Sequence, residues 1–203
     1  MQKLFQTAAA IIMLFFCSIA FSQTAKPFAI ADFKTATWEV NNNGDVYPFI
    51  VSKPKGSTVT DFEFDWSMGN DNNGHIKITA AAMKSAIGQN NYFGPSLKNA
   101  TLTDKTTVWI SQQVYTDLVK KGSAKMDVGN GPEVFTTVTD KDGDAEKESF
   151  KDAIKVKGSE KTVTTFHVKN SDGSRQLWIL NNPQNPVIIK MDLGWTIVLK
   201  SVE

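Results

Sequence analysis

The sequence has few of the residues that carry most enzyme and metal chemistry. It contains one cysteine, Cys17, and two histidines, His75 and His167, which stand far apart in the chain. Neither histidine lies in a metal-ligand spacing such as His-Glu-x-x-His, and no Gly-x-Ser-x-Gly motif or glycine-rich phosphate loop is present. The sequence therefore favours a non-catalytic protein without a cofactor, and a hydrolase with an unfamiliar site is the alternative.

The chain also lacks an excess of positive charge. Its formal net charge is +1, and Arg175 is its single arginine. Nucleic-acid binding leaves an electrostatic footprint of clustered lysine and arginine, which is missing here. No basic run favours attraction to anionic lipid head groups either. We therefore predict no nucleic-acid partner.

Long apolar runs are absent except at the N-terminus, where Ala8 to Phe21 follow the single early charge of Lys3. The run is shorter than the roughly 20 residues that span a bilayer, and it closes with small residues at the positions that a signal peptidase reads. We predict a signal peptide at residues 1–22, cleavage before Gln23, and a protein exported to the periplasm or the cell exterior.

Cys17 raises the alternative of a lipid anchor, because Leu14 stands three residues before it as in bacterial lipoprotein signals. That pattern also requires a small residue next to the cysteine, and here Phe15 and Phe16 precede it. We expect simple cleavage instead. Residues 23–203 then form one β-rich domain without cysteine, so a hydrophobic core rather than disulfides must stabilise it.

Turn-forming residues interrupt the chain at short intervals, and the runs between them are rich in Val, Ile, Thr, Phe and Trp. This pattern predicts many short strands. They are expected at residues 32–40, 46–52, 61–68, 75–79, 107–110, 124–128, 134–139, 153–156, 162–169, 176–180, 187–191 and 195–202. Two short helices are expected at Ala80–Ile87, capped by Thr79, and at Gln112–Lys121, between Ser111 and Gly122.

The hairpin around Asp172-Gly173 permits a prediction of register. A tight turn there places Phe166 opposite Ile179 and His167 opposite Trp178. Both faces of the hairpin then carry apolar side chains, so both faces must be covered. Helices can cover one face, and loops, a partner or a ligand the other.

The most motif-like stretch is Asp140-Lys141-Asp142-Gly143-Asp144, which resembles the start of an EF-hand calcium loop. Asp140, Asp142 and Asp144 match its first three ligand positions. The glycine required for the sharp turn is replaced by Ala145, and the closing glutamate by Lys151. We interpret the stretch as an acidic connection between strands, with a calcium-stabilised surface module as the alternative.

Five tryptophans and many phenylalanines remain for the core or for an apolar pocket. We name Trp66, His167, Trp178 and Trp195 as candidate ligand-binding residues, and an apolar small molecule or lipid as the candidate ligand. The acidic set Asp61, Glu63 and Asp65 alternates with apolar residues and is interpreted as the wet face of a strand.

The tail from Leu177 to Lys190 consists of a strand, a proline-punctuated polar corner and a second strand. It resembles the C-terminal end of exported bacterial β-rich proteins similar to the outer-membrane lipoprotein carriers. The resemblance covers about the last quarter of the chain and implies no catalytic residues. Together with the strand and helix pattern, it predicts an α+β fold: a curved, mainly antiparallel, half-barrel-like sheet with two short helices packed on one face. For function, it favours binding of an apolar ligand or an envelope partner.

Overall fold

The computed structural model describes residues 34–69, 71–139 and 149–203. The predicted signal peptide, residues 1–22, lies outside them. Asp140, Asp142 and Asp144 also lie outside, so the calcium hypothesis stays a prediction. No helix in the described ranges is both long and apolar enough to cross a membrane.

The described residues form fourteen strands and two α-helices. The strands are β1 Thr35–Asn42, β2 Asp45–Gly56, β3 Phe62–Met68, β4 Asn72–Ile78, β5 Gly88–Gln89, β6 Asn99–Leu102, β7 Lys105–Thr106, β8 Ser123–Asp127, β9 Pro132–Thr137, β10 Ser149–Val156, β11 Ser159–Lys169, β12 Gln176–Leu180, β13 Ile188–Asp192 and β14 Thr196–Val202. The helices are α1 Ala80–Ser85 and α2 Gln112–Lys121, and a short 3-10 helix covers Pro95–Leu97.

The strands join into one sheet in the order β6-β4-β3-β2-β1-β14-β13-β12-β11-β9-β8-β5-β7. Most neighbours are antiparallel, as the sequence predicts, and the parallel contacts are β4 with β6, β5 with β7 and β8, and β10 with β14. Because β10 pairs with both β11 and β14, the five strands β10 to β14 close into a small barrel. A mostly β fold with two helices and a curved sheet is thus confirmed.

The register predicted for the β11–β12 hairpin is confirmed. Phe166 pairs with Ile179, and His167 pairs with Trp178. The turn is wider than the two-residue turn of the prediction, because hydrogen bonds close it across the segment Asn170–Arg175. The alternation of side chains is unaffected, since both turns give the same pairing.

The two predicted helices are present, and one of them ends early. Helix α2 has the predicted bounds; Ser111 accepts a hydrogen bond from the backbone N–H of Val114, and Gly122 ends the helix with a φ of 67°. Helix α1 was expected to reach Ile87 but ends at Ser85. The reason is that the carbonyl of Ile87 accepts a hydrogen bond from Asp127, which draws the chain into the sheet.

The strand predicted at 107–110 is wrong. Among the described residues, the β-pairing of this segment is limited to an isolated bridge between Trp109 and Val187. The residues on either side of Trp109 bond to the chain at the start of β13 at single points, from Ile110 N–H to the Pro186 carbonyl and from Ile188 N–H to the Val108 carbonyl. Val108, Trp109 and Ile110 are therefore apolar because they lie in the core, and they do not form a regular strand.

Trp109 is the centre of the core. Its ring packs edge-on against Trp38 of β1 and Phe62 of β3, with ring centroids 6.1 Å and 4.7 Å away. Its indole N–H donates to the Oδ1 atom of Asn185 at 2.7 Å. One side chain thus connects the N-terminal strands to the corner between β12 and β13.

The buried side chains of the small barrel belong to the same hydrophobic core as those of β1 to β4. Phe166 packs against Tyr115 of α2, so its face of β11 is turned towards the helices. The opposite face carries Thr165 and Leu180, which are 0% and 1% exposed. These residues fill the inside of the ring, as side chains do in small closed barrels.

The predicted wet face of β3 is an ion-pair ladder. Asp61 contacts Lys77 at 2.6 Å, while Asp65 contacts His75 at 2.9 Å and Lys53 at 3.1 Å. All five side chains are between 40% and 76% exposed, so each pair contributes little to stability.

We expect the ladder to make stability depend on acid pH. Hydrogen bonds from His75 and then from Lys53 hold the pKa of Asp65 below its ordinary value of 3.8. A carboxyl with a folded-state pKa below its unfolded value stabilises the fold above the unfolded pKa, and this contribution is lost as pH falls through the folded value. Asp65→Asn should therefore lower the free energy of unfolding by at most about 1 kcal/mol near neutral pH, because the group is exposed.

The difference between Asp65→Asn and the wild type should disappear on titration from about pH 5 to about pH 2, measured by urea denaturation. Asp71→Asn is the matched control, because Asp71 is exposed and makes no ion pair among the described residues. A constant difference across this range would contradict the prediction.

Candidate functional site

A pocket of about 600 Å³ opens at one end of the sheet. Most of its lining comes from the β1–β2 hairpin, the β13–β14 hairpin, the loop after β8 and the segment 89–93, and other segments add Met68, Lys105, Val108 and Arg175. The size falls within the range of pockets that bind small molecules and cofactors.

The floor of the pocket is apolar. It is formed by Val40 and Phe49 from the first hairpin, Val108, and Met191 and Ile197 from the last hairpin. All five side chains are nearly buried, with exposures between 1% and 6%. For the four floor residues that lie in strands, the alternation that builds the core continues into the pocket, because they are on the core-facing side of their strands.

Aromatic side chains form part of the walls. Tyr92 is 73% exposed, although it lines the pocket. Phe93 packs against Phe49 and Trp66, with ring centroids 4.4 Å and 5.2 Å away. Trp195 lines the pocket from the turn between β13 and β14. Such rings offer a large apolar contact area at the entrance.

Amide side chains hold the segment 89–93 in place. Asn90 donates to the carbonyl of Tyr92 at 2.8 Å, and Asn91 donates to the carbonyl of Val128 at 2.9 Å. Asn72 of β4 donates to the carbonyl of Phe93 at 3.3 Å. The wall is thus tied to two other parts of the sheet, and the pocket is largely preformed.

Gln89 carries an unpaired buried acceptor. The side chain lines the pocket and is 5% exposed. Its Nε2 donates to the Thr106 hydroxyl at 2.7 Å and to the Trp109 carbonyl at 3.3 Å. Because a carbonyl can only accept, this fixes the orientation of the amide. Its Oε1 then has no hydrogen-bond partner among the described residues, which costs about 1–3 kcal/mol.

The four predicted ligand-binding residues do not form one site. Trp195 lines the pocket, whereas Trp66 is 2% exposed, packs behind Phe93 and donates to the carbonyl of Leu97. His167 and Trp178 lie elsewhere, on the barrel-facing side of β11 and β12.

The His167–Trp178 pair forms a stack. The rings are 4.3 Å apart and nearly parallel, with an interplanar angle of 8°. The ammonium group of Lys190 lies 4.4 Å from the centre of the Trp178 ring, and His167 Nε2 is 2.8 Å from the Gln176 side-chain oxygen. These contacts among cross-strand neighbours describe packing.

The hydrolase alternative depends on a histidine that contacts both a carboxylate and a serine. His75 contacts Asp65, and Ser52 lies opposite Asp65 on the neighbouring strand. The carboxylate therefore stands between the serine and the histidine. A serine hydrolase needs the histidine in the middle, since it must take the proton of the nucleophile.

The sequence motifs do not predict Gln89, Tyr92, Phe93 or Lys105 as site residues. The run Gln89-Asn90-Asn91-Tyr92-Phe93 does contain a signal, because three amide residues followed by two aromatic residues stand outside any predicted strand or helix. Within the described residues, no group of three or more metal-binding side chains comes together.

The chain matches no protein-family model, no curated protein and no solved structure. The resemblance of the segment 177–190 to the lipoprotein carriers therefore stays a prediction.

Proposed function

We propose that the protein is a non-catalytic binding protein that holds an apolar or amphipathic small molecule in the pocket at the hairpin end of the sheet. The observation that carries the proposal is the 600 Å³ pocket itself, with its apolar floor and its rim of aromatic and amide side chains. Apolar pockets with a few convergent polar groups are typical of small-molecule sites.

The unpaired Oε1 of Gln89 supports the proposal independently. A ligand that donates a hydrogen bond to this oxygen is favoured, because no side chain or backbone group of the described residues satisfies it. If the protein is exported to the cell envelope, as residues 1–22 predict, its ligand is a molecule present outside the cytoplasm. The half-barrel arrangement also stays a proposal; the sheet order, in which β1 to β4 continue into β14 to β11, supports it.

Trp195→Ala is expected to weaken binding of an anilinonaphthalene sulfonate dye about tenfold, because the variant loses an aromatic wall of the pocket. The measurement is a fluorescence titration of purified protein, with circular dichroism to verify the fold. His167→Ala is the matched control, since His167 is the other partly exposed candidate of the sequence.

Unchanged dye affinity in Trp195→Ala would contradict the pocket as the site. Loss of binding in His167→Ala alone would place the site at the Trp178 stack instead. No binding to the wild-type protein by the dye or by medium-chain amphiphiles would remove the proposed function.

A calcium-stabilised module and a hydrolase stay as alternative hypotheses. The first depends on Asp140, Asp142 and Asp144, outside the described residues. The second lacks a hydrogen bond between His75 and a serine hydroxyl in the described part of the chain. The pocket is the stronger basis for a function.

A further inference from the structure

The pocket has charge of one sign only. Its lining contains Lys105 and Arg175, and no aspartate or glutamate. The whole chain has a formal charge of only +1, so the positive rim is a local feature. Low-dielectric walls with charge of one sign concentrate ions of the opposite sign.

The two cations differ in their partners. The guanidinium of Arg175 pairs with the carboxylate of Glu133, and the two side chains are 23% and 25% exposed. The positive charge of Arg175 is therefore largely compensated. Lys105 is exposed and makes no ion pair with any residue in the described ranges. Of the two, Lys105 is the cation available to a ligand.

The backbone holds the stem of Lys105 at the pocket. Strands β5 and β7 are parallel, with Gly88 opposite Lys105. A β-carbon at Gly88 would lie 3.0 Å from Cγ of Lys105. Because glycine has no β-carbon, the aliphatic part of the Lys105 side chain can pack closely against β5 at Gly88.

We propose that the ligand of this pocket is an amphipathic anion, with its apolar part on the pocket floor and its carboxylate or phosphate beside Lys105. The inference rests on the proposed function and adds the chemical class of the ligand. A cation at the rim of an apolar cavity selects by charge, while the floor supplies affinity with little selectivity.

Four amphiphiles with the same decyl chain provide the test. Decanoate and decyl phosphate are anionic, decyl maltoside is neutral and decyltrimethylammonium is cationic. Each is titrated by calorimetry below its critical micelle concentration into the wild-type protein, Lys105→Gln and Lys105→Arg. Lys125→Gln is the control, because Lys125 is an exposed lysine of β8 that does not line the pocket.

The wild-type protein should bind at least one anionic amphiphile more tightly than the neutral and cationic ones. Lys105→Gln should weaken binding of that anion about fivefold, leave the maltoside unchanged and reduce the salt dependence. Lys105→Arg should retain the preference, and Lys125→Gln should behave as the wild type. The tighter of the two anions identifies the head group.

Equal or tighter binding of the maltoside, or an anion preference that persists in Lys105→Gln, would overturn this inference and leave the proposed function intact. Failure of all four amphiphiles and of the dye to bind the wild-type protein would overturn both.

Discussion

Replacing Trp109 with alanine is expected to lower the free energy of unfolding by about 3–5 kcal/mol. The side chain is 0% exposed and contacts Trp38, Phe62 and Phe64, so its removal leaves a cavity between strands that cannot all move inwards. It also removes the hydrogen bond from the indole N–H to Asn185. The measurement is equilibrium denaturation in urea.

Trp109→Phe separates the two effects. Phenylalanine keeps most of the apolar volume and loses the hydrogen bond, so we expect a smaller loss, of about 1–3 kcal/mol. Val119→Ala, at a side chain of α2 that is 50% exposed, is the control and should change the free energy by less than about 0.5 kcal/mol. A loss below about 1 kcal/mol in Trp109→Ala would contradict the central role of this ring.

Gly56→Ala is expected to destabilise the protein by about 3–4 kcal/mol, for two additive reasons. The residue has a φ of +94°, which side chains with a β-carbon rarely adopt. A β-carbon there would also lie 1.9 Å from the carbonyl oxygen of Asp61, so the turn between β2 and β3 must shift. The free energy of unfolding from urea curves is again the measurement.

Gly44→Ala is the matched control at the other end of β2. Its φ of +97° is nearly the same, and an added β-carbon meets nothing within 4 Å. This variant should show the conformational cost alone, about 1–2 kcal/mol. The difference between the variants gives the cost of the collision with Asp61. Equal losses in both would show that the turn absorbs the extra carbon and would contradict the prediction.

The features that the sequence predicts correctly are set by local chemistry. Helix α2 begins after Ser111 and ends at Gly122 because cap residues satisfy the free backbone groups at its ends. The β11–β12 register follows from the alternation of side chains and the position of the turn. These signals lie within a few residues of the elements that they determine.

The features that the sequence does not predict depend on contacts between distant segments. Trp109 lies in an apolar run that reads as a strand, and only the corner at Pro186 to Ile188 shows why it is not one. The pocket combines Tyr47, Tyr92 and Trp195 from three separate segments. The composition of each segment could equally serve the core, so Trp195 could not be distinguished from Trp66 or Trp178.

The barrel closes through another distant contact, from Lys155 of β10 to Ser201 of β14. A parallel pair of only two residues at each strand end leaves no pattern in the sequence. Such closure follows from the curvature of the whole sheet and appears only when the five strands are assembled.

The position of β14 has a consequence for the order of folding. This last strand pairs with β1, β13 and β10, and Val202 lies opposite both Ala36 and Val156. The first described strand therefore lacks its neighbour on one side until β14 has been synthesised. Contacts of such long sequence separation slow folding. The local pairs β1–β2, β2–β3 and β3–β4 can form early, whereas the sheet becomes continuous across β1 only after β14 has been added.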